Sequence, residues 1–480
     1  MLAISVELLH ATFRGDPNGT ANTGQLSMGE WPPSPMRLFA ALVAADGTRE
    51  NCWATDGSEL DWFEQLPPPT IYAESLPIRL HRALLPRYVV QHGKTGLAKG
   101  KNGLSFQQEY ISRTSTLVRP GVRVSPRNPS IVYHWAVGIP DTSTFIALRR
   151  RAARIGYLGT SDSPVRVQVS GDAYSIEDKT NAFVPDDRGD VFINIAKSGD
   201  LEILDRIYDQ WKEHGPSISR SQFPALGQEV RYRSPTPIES TDQGKVVAWL
   251  RLSPAISGRR ISVITHLFKQ SVLSQYQQLF GEPPQVLHGH GFHGKGYETA
   301  RYMALSDVGY PRSRGRIHGM ALWMPPKSSP MDCARSRDAA FAVRQLTGKA
   351  INVSVEPHIE PHRDGDRPLA ANSRRWCGPS QEWVTAFPAI HERYQTVDLN
   401  EVSRWCRHAG LPEPIDFRSS RAPLVTGAVD LAPVEVNRPN RPVLPYSHIW
   451  IRFAHPISGP IVIGSGRQRG FGLCIPLSKG

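Results

Sequence analysis

Groups able to do acid–base chemistry are concentrated in one short glycine-rich stretch of this 480-residue sequence, residues 286–296. It contains His288, His290, His293 and Lys295. Imidazole exchanges a proton near neutral pH, so a histidine can act as general acid or general base. The three histidines could alternatively bind a transition metal in a hydrolase. Their spacing, however, differs from the i,i+4 helical pair of zinc proteases, and no acidic partner lies nearby.

A second stretch, residues 461–473, combines glycines with arginines near the end of the sequence. The glycines are at 464, 466, 470 and 472, and Arg467 and Arg469 lie between them. Apolar alternation on both sides predicts two strands joined by a loop whose backbone can approach another group closely. Exposed amides and guanidinium groups bind phosphate, so we expect an anion-binding loop. The alternative is an ordinary glycine-rich hairpin.

Two better-known phosphate motifs do not fit this loop. A dinucleotide-binding pattern needs glycine where Arg469 stands, followed by a helix and a second strand. The phosphate-binding loop of nucleotide hydrolases needs a Lys-Ser or Lys-Thr pair after the glycines, and the sequence has none there.

The overall composition favours a polyanionic partner, with nucleic acid as the simplest candidate. The formal net charge is +12 and the pI is near 9.6. The five cysteines are far apart and form no C-x-x-C pair, which indicates neither disulfides nor a cysteine zinc site and is typical of a reducing cytoplasm. No signal peptide or membrane-spanning run is recognisable, so we expect a cytoplasmic protein without a membrane partner.

A basic segment over residues 79–130 strengthens this expectation. It contains ten Lys or Arg against one acid, Glu109, with three aromatic residues interleaved. Such a segment can follow a sugar-phosphate backbone while its aromatic rings stack on bases. A solvated basic loop without a ligand is the alternative.

The elements that must position these groups are predicted to begin with a strand over residues 2–13. Ser34 then caps a helix that has Pro35 at its first position and ends near Ala45. Alternating apolar residues predict strands over 131–137 and 164–170, with a helix between them over 143–155. A further amphipathic helix is predicted over 201–214. This order predicts an α+β fold of the ferredoxin-like βαββαβ kind, the plan of RNA-recognition domains.

Residues 231–244 have the composition of a linker, so we place a domain boundary between residues 235 and 236. The order then begins again with a strand over 246–252, a turn at Ser253–Ala255 and a helix over 259–280. On that helix five apolar residues face the core and His266 faces away. Further strands are predicted at 300–305, 319–323 and 350–355. Helices are predicted at 337–346 and from an Asn400 cap to Gly410. Short extended segments at 415–417 and 424–425 precede the final hairpin.

Several segments, in this order along the chain, resemble one family: the fused RAMP protein of type I-G (formerly I-U) CRISPR systems. The segments are Trp31-Pro-Pro-Ser-Pro-Met-Arg-Leu-Phe39, Gly289-His-Gly291, Asp307-Val-Gly-Tyr-Pro311, Arg375-Trp376, Cys406-Arg-His-Ala-Gly-Leu-Pro-Glu-Pro414, and Gly459-Pro460 with the glycine-rich loop. The sequence differs from the family pattern at Thr299, where a histidine often stands, and at residues 311–316, where the family is richer in histidine and acid.

The resemblance implies two tandem RAMP domains, 1–235 and 236–480. The first would hold the 5′ handle of the mature crRNA, and the second would cut precursor crRNA within the repeat without a metal or cofactor and keep the product. The partners implied are CRISPR repeat RNA, crRNA, and the backbone and large subunits of a type I effector complex. A non-catalytic crRNA scaffold is the alternative.

Metal-independent cleavage needs a base for the 2′-hydroxyl, an acid for the 5′-oxygen and stabilisation of the phosphorane. His290 is the lead catalytic candidate, and His266 and His293 are the alternates, with Lys295 or Arg301 facing the phosphorane. The candidate RNA-binding residues are Arg37, Arg87, Lys94, Lys99, Lys101, Arg113, Arg119, Lys295, Arg301, Gly464, Gly466, Arg467, Arg469, Gly470 and Gly472.

Overall fold

The computed structural model describes most of the chain. The described residues are 1–15, 29–47, 55–81, 122–160, 163–171, 182–214, 223–235, 244–292, 298–326, 328–348, 350–359, 367–394, 396–436 and 444–477. Helices account for 30% and strands for 32% of the structure, which confirms the predicted α+β class. Within these ranges no helix has the length and apolar character needed to span a bilayer.

The chain divides into two compact units, Met1–Ile238 and Glu239–Gly480. The elements of unit 1 are strands β1 (Leu2–Leu8), β2 (Thr70–Tyr72), β3 (Ile78–His81), β4 (Val122–Ser125), β5 (Ser130–Trp135), β6 (Val165–Ser170), β7 (Ala182–Pro185), β8 (Val191–Ile195) and β9 (Gln228–Arg233), and helices α1 (Pro35–Gly47), α2 (Ser58–Glu64), α3 (Thr142–Ala152) and α4 (Asp200–His214).

The strands of unit 2 are β10 (Lys245–Ser257), β11 (Arg301–Ser306), β12 (Arg316–Met324), β13 (Gln345–Gly348), β14 (Ile351–Pro357), β15 (Ser380–Thr385), β16 (Ala389–Ile390), β17 (Asp416–Ser420), β18 (Tyr446–Ile457) and β19 (Cys474–Pro476). Its helices are α5 (Ile261–Phe280), α6 (Gln285–His288), α7 (Pro330–Ala342), α8 (Arg374–Cys377), α9 (Leu399–His408) and α10 (Pro433–Val436), with 3₁₀ turns at Gly258–Arg260, Leu369–Ala371 and Arg467–Arg469.

The main sheet of unit 1 has the strand order β6-β1-β5-β2-β7-β9-β8, and β3 pairs separately with β4. Strand β1 lies between β5 and β6 and is antiparallel to both. Helix α1 shares the core with this sheet through Leu38, Phe39 and Leu42, which are fully buried. Burying a side chain of this size contributes about 1.5–3 kcal/mol. The predicted cap is confirmed, because Ser34 Oγ accepts a hydrogen bond from the Arg37 amide at 3.3 Å.

The first sheet of unit 2 has the order β11-β12-β10-β14-β13, with all its pairs antiparallel. Strand β10 continues through Pro254 to Ser257, so the turn predicted at Ser253–Ala255 is wrong. Its register against β12 shifts between Arg251 and Ile256 instead. Proline has no amide to donate to the ladder, which accounts for a bulge at this position without an end to the strand.

Helix α5 buries the face that its apolar spacing predicts. Ile261, Ile264, Phe268 and Val272 are fully buried, whereas Leu279 is only half-buried. His266 is exposed, as expected for a residue on the opposite face.

A second sheet in unit 2, which the sequence analysis did not predict, has the order β16-β18-β15-β19, with β17 also paired to β18. Its core contains Trp383, Trp405 and Phe453 together with α9. The predicted final hairpin is only partly present: Val462 and Leu473 form an isolated antiparallel bridge, and β19 pairs with β15.

Three local predictions in unit 2 are wrong in part: the bounds of a helix, the cap of another and a short strand. The helix predicted at 337–346 is present from 337 to 342 only, as part of a longer helix. Helix α7 begins at Pro330, where the Ser329 side chain accepts from the Asp332 amide, and Gln345–Gly348 is a strand. Helix α9 is capped by Asp398 and not by Asn400. The two residues 424–425 form no strand.

His448, on β18, links the second sheet through a buried chain of hydrogen bonds. The Ile449 amide donates to Thr385 Oγ1 at 3.0 Å, and Thr385 Oγ1 lies 3.3 Å from His448 Nδ1. His448 Nε2 lies 3.2 Å from the Val429 carbonyl, which can only accept. Nε2 therefore carries the proton and Nδ1 accepts, as in a neutral imidazole. Burial lowers the pKa of His448 from its ordinary value.

Acid should therefore destabilise unit 2. The pKa of His448 is lower in the folded state than in the unfolded state, where it is about 6.5, so acid protonates the unfolded state first. The stability that neutral His448 contributes is fully present above the unfolded pKa and is lost as pH falls through the folded pKa. Between pH 8 and pH 5.5, the unfolding midpoint of His448→Gln should fall less than that of the wild type. His455→Gln, exposed on the same strand, should keep the wild-type pH dependence. Equal slopes for His448→Gln and the wild type, measured by calorimetry, would show that this histidine is not responsible.

Candidate functional site

The glycine-rich loop between Val462 and Leu473 is folded against the protein. Gly464, Gly466, Gly470 and Gly472 are all buried. A Cβ on Gly472 would lie 1.9 Å from the Ile463 carbonyl oxygen, and one on Gly464 would lie 2.5 Å from the Ile390 carbonyl oxygen. Both residues also have positive φ. The predicted close approach of the backbone is therefore real, but at these two glycines it is to the chain itself.

Hydrogen bonds within the protein engage several amides of the loop. The Ser465 amide donates to the Ile390 carbonyl at 2.8 Å, and the Gly472 amide donates to the Pro388 carbonyl at 3.1 Å. The Phe471 amide donates to the Gly466 carbonyl at 3.3 Å. The expectation of exposed amides is wrong for these three residues, while phosphate binding by the loop glycines stays a prediction.

Both loop arginines bind protein groups. Arg467 is turned inward, with 7% of its surface exposed, and its Nη2 lies 3.3 Å from Glu392 Oε1. Arg469 donates to Ser262 Oγ at 3.0 Å and to the Val436 carbonyl at 2.7 Å. These contacts connect the loop to the segment after β16 and to α5. Direct contact of either guanidinium with RNA would have to be made in addition to them.

Arg301 lies close to Arg467 inside unit 2. It is 4% exposed, and its guanidinium carbon is 3.8 Å from the centre of a Trp323 ring. Burial, followed by repulsion from Arg467, lowers the pKa of Arg301 to about 9. The residue is therefore still mainly charged at neutral pH. Because it is buried, Arg301 would act on an anion through its electric field.

The histidine loop begins where α6 ends. Gly289 adopts a left-handed conformation with φ +76° and stops the helix after His288. The Ala300 amide donates to the Val286 carbonyl at 2.9 Å, and the Tyr302 hydroxyl donates to the Leu287 carbonyl at 2.9 Å. These bonds fix α6 against the start of β11, because Ala300 and Tyr302 are the residues on either side of Arg301.

His288 and His290 form a pair. Their ring centres are 5.7 Å apart and their ring planes are nearly parallel. The His290 amide donates to His288 Nδ1 at 3.0 Å. Lys269 Nζ donates to the His288 carbonyl at 2.6 Å. Burial, then the charges of His290 and Lys269, lower the pKa of His288. Its Nδ1 accepts, so the neutral ring carries its proton on Nε2, where it can donate.

The glycine-rich loop and the histidine loop meet at Gln468. A Cβ on Gly289 would lie 3.3 Å from Gln468 Nε2, and Gln468 donates to the buried Thr299 hydroxyl. The structure thus brings Gly289 and Thr299, on either side of the histidine loop, to Gln468. Gln468 directly follows Arg467, whose charge lowers the pKa of the buried Arg301. Imidazole groups near buried positive charge can hold a phosphodiester and exchange protons with it.

Among the remaining predicted residues, the two that the structure describes are not joined to this cluster. Within the described ranges, no hydrogen bond, ion pair or ring contact connects His266 to His288 or His290. Arg37, in unit 1, forms an ion pair with Glu30 through Nε at 3.0 Å. The other candidates lie outside the described residues: His293, Lys295, Arg87, Lys94, Lys99, Lys101, Arg113 and Arg119.

The metal alternative also depends on His293. Among the residues described, no group of three or more His, Cys, Asp or Glu could hold a metal ion. The triad of His288, His290 and His293 is therefore not tested.

The sequence did not point to Gln468 or Lys269 as site residues. Thr299 stood out only as a difference from the family pattern, and His288 was a candidate only as a metal ligand. Gln468 stands between the two loop arginines but 179 positions after Gly289. No periodicity or spacing connects residues that far apart. The only local signal was the glycine at 289, which allows the close approach of another side chain.

Replacing Gly472 by alanine should destabilise unit 2, because the new Cβ would overlap the Ile463 carbonyl and the left-handed backbone would be strained. Strain of this kind costs about 1–3 kcal/mol, and 1 kcal/mol lowers the unfolding midpoint by roughly 2–4 °C at this size. The control is Gly156→Ala, since nothing lies within 4 Å of a Cβ there. An unchanged midpoint for Gly472→Ala, measured by calorimetry, would refute this packing.

The sequence was also compared with known proteins. A model of the family described as "CRISPR-associated protein, GSU0054 family" matches residues 16–405. No curated protein matches the chain. The match includes α1, the histidine loop and both strands that flank Asp307. The chain therefore belongs to the GSU0054 family of CRISPR-associated proteins, which are of the RAMP type.

Proposed function

We propose that this protein cuts precursor crRNA within the repeat, without a metal ion, and stays bound to the mature crRNA as a subunit of a type I antiviral effector complex. It would be the fused 5′-handle-binding subunit and endoribonuclease of type I-G systems. The observation that supports this most is the meeting of the histidine loop and the glycine-rich loop at Gln468, whose neighbour Arg467 lies close enough to the buried Arg301 to lower its pKa.

The proposed reaction is an attack by the ribose 2′-oxygen on the adjacent phosphorus. A base takes the 2′-hydroxyl proton as the new P–O bond forms, and an acid gives a proton to the 5′-oxygen as the old P–O bond breaks. The products are a 2′,3′-cyclic phosphate and a 5′-hydroxyl. His290, which is exposed, carries out one of these two proton transfers. Neutral His288 donates from Nε2 to a phosphate oxygen.

Buried positive charge would stabilise the phosphorane. Arg301 and Arg467 lie close enough for one to lower the pKa of the other, and Glu392 is paired with Arg467. Their combined field favours the additional negative charge of the transition state. His266, His293 and Lys295 remain candidates for the second proton transfer or for direct contact with the phosphate.

We propose that both units contain a ferredoxin-like core. In unit 1 the strands β6-β1-β5-β2 give the spatial order 4-1-3-2, with helices after the first and third strands. In unit 2 the strands β14-β10-β12-β11 give the same order, again with helices after the first and third. Antiparallel sheets of this plan leave one face open, and RNA-recognition domains bind RNA there.

The first unit would hold the 5′ handle through residues 79–130, together with Arg37. The second would bind the repeat and retain the cut product. Many phosphate contacts give tight binding that weakens steeply with salt, consistent with a nuclease that keeps its product. Partners would be the backbone and large subunits of the complex.

A non-catalytic crRNA scaffold is the second candidate. It is favoured by one observation: Arg467 and Arg469 both bind protein groups, so the glycine-rich loop has a structural role even without catalysis. The two functions predict the same RNA affinity and differ only in cleavage.

Incubation with an end-labelled repeat RNA in EDTA distinguishes them. We expect a single cut that leaves a 2′,3′-cyclic phosphate, and loss of one general acid–base group should slow it by about 10²–10⁴-fold. His290→Ala should therefore stop the cut and keep RNA binding, and the control His455→Ala should behave as the wild type.

Tight binding without a cut supports the scaffold, and a cut only with added divalent metal supports a metallohydrolase. Normal cleavage by His290→Ala would refute the assignment of His290.

A further inference from the structure

A cavity of about 760 Å³ lies in unit 2 beyond the carboxyl end of β11, and the proposed reaction does not use it. Arg301 and Ser306 are the first and last residues of β11. At about 3.3 Å per residue, the start of the strand and the edge of the cavity are roughly 16 Å apart. The cavity is therefore separate from the histidine loop, at the opposite end of one strand.

Irregular backbone forms the walls of this cavity. On one side the bulge of β10 contributes Arg251, Pro254 and the residues between them. On the other side, Gly309 has φ +84°, and a Cβ there would lie 2.1 Å from Arg375 Nη2. Only glycine at 309 leaves room for the Arg375 guanidinium.

The charged lining is predominantly basic. Four arginines line the cavity: Arg251, Arg312, Arg367 and Arg375. Two acids, Asp307 and Glu356, also line it. The Asp307 carboxylate accepts hydrogen bonds from the Arg314 and Arg316 amides, so it is already partly neutralised by the turn that it closes. A cavity with this balance attracts an anion.

The cavity also offers an aromatic face and an apolar wall. Tyr310 is 42% exposed, and the Arg375 guanidinium carbon lies 4.6 Å from the centre of its ring. Leu252, Pro254 and Leu369 contribute apolar surface. A flat aromatic ring next to arginines is suited to a nucleobase and its phosphate. An acidic peptide would use the charge but has no flat group for the ring.

Two polar atoms at the cavity are unsatisfied among the described residues. Ser306 is 1% exposed, and its Oγ has no hydrogen-bond partner. The Nε of Arg251 is also buried without one. A buried polar group without a partner destabilises the fold, because it has lost its hydrogen bonds to water. Because both residues line the cavity, a ligand with hydrogen-bonding groups can satisfy them.

We propose that this cavity binds one unpaired nucleotide of an RNA strand, with its base against Tyr310 and its phosphate near Arg251 and Arg312. The inference rests on the proposed function only in taking RNA as the ligand, and it does not depend on cleavage. His318 lines the same cavity, with Nε2 4.0 Å from Asp307 Oδ2, and can donate to or accept from a base edge.

The test is an RNA-binding measurement in the His290→Ala protein, so that cleavage cannot affect it. The probe is a fluorescent single-stranded repeat oligonucleotide, measured by anisotropy. The double variant Tyr310→Ala, Arg312→Ala should weaken binding about tenfold or more, as expected from loss of one stacked base. The matched control is Tyr394→Ala, Arg314→Ala, which changes an exposed tyrosine and an exposed arginine that do not line the cavity.

A crosslinking measurement on the unchanged protein guards against a folding defect in the variant. Irradiation with RNA that carries 5-iodouridine should attach one nucleotide to a peptide containing Tyr310. Equal affinity of the double variant and the control variant, or crosslinks found only elsewhere, would overturn the proposal.

Free ligands separate the remaining possibilities. If AMP binds the protein and loses this binding in the double variant while the oligonucleotide does not, the ligand is a free nucleotide and the RNA assignment is wrong. If inorganic phosphate displaces the oligonucleotide as well as AMP does, the base is not recognised and the proposal fails. A protein that binds RNA through this cavity but does not cut it in EDTA would overturn the nuclease and leave this inference standing.

Discussion

The buried carboxylate of Glu392 organises the end of the chain. It lies 3.1 Å from Arg404, 2.7 Å from His408 and 3.3 Å from Arg467, and its side chain is 9% exposed. A buried carboxylate is tolerated only when it is paired and hydrogen-bonded. Arg404 and His408 belong to α9, and Arg467 belongs to the glycine-rich loop. Because Arg467 must turn inward to reach Glu392, the next residue, Gln468, can turn towards the histidine loop.

This arrangement gives the loop arginines a structural task that the sequence alone does not indicate. The arginines of the loop hold it in place and add positive charge inside the protein, where Arg301 lies against Trp323. The groups that can exchange a proton, His288 and His290, lie at the surface of the same region. Strand β11 connects this region to the basic cavity, so the sheet keeps their spacing fixed.

Local patterns in the sequence predicted the elements whose own residues determine them. The apolar face of α5, the Ser34 cap of α1 and the alternation of β1 were all predictable because the spacing of residues within each element indicates them. Prediction from the sequence failed where a contact between residues far apart along the chain determines the structure. Nothing near Arg467 in the sequence indicates that it will form an ion pair with Glu392. Likewise, nothing near Pro254 indicates that pairing with β12 keeps β10 extended beyond the bulge. The candidate site was therefore predicted at His290 and missed at Gln468.

The most direct measurement is a structure of the protein with a repeat RNA that carries a 2′-deoxy nucleotide at the cut, so that the nucleophile is absent. The account predicts that the scissile phosphate lies between the two loops, with His290 within hydrogen-bonding reach, about 3 Å, of the position of the missing 2′-oxygen or of the 5′-oxygen. A scissile phosphate bound away from both loops, with the histidine pair facing solvent, would contradict it.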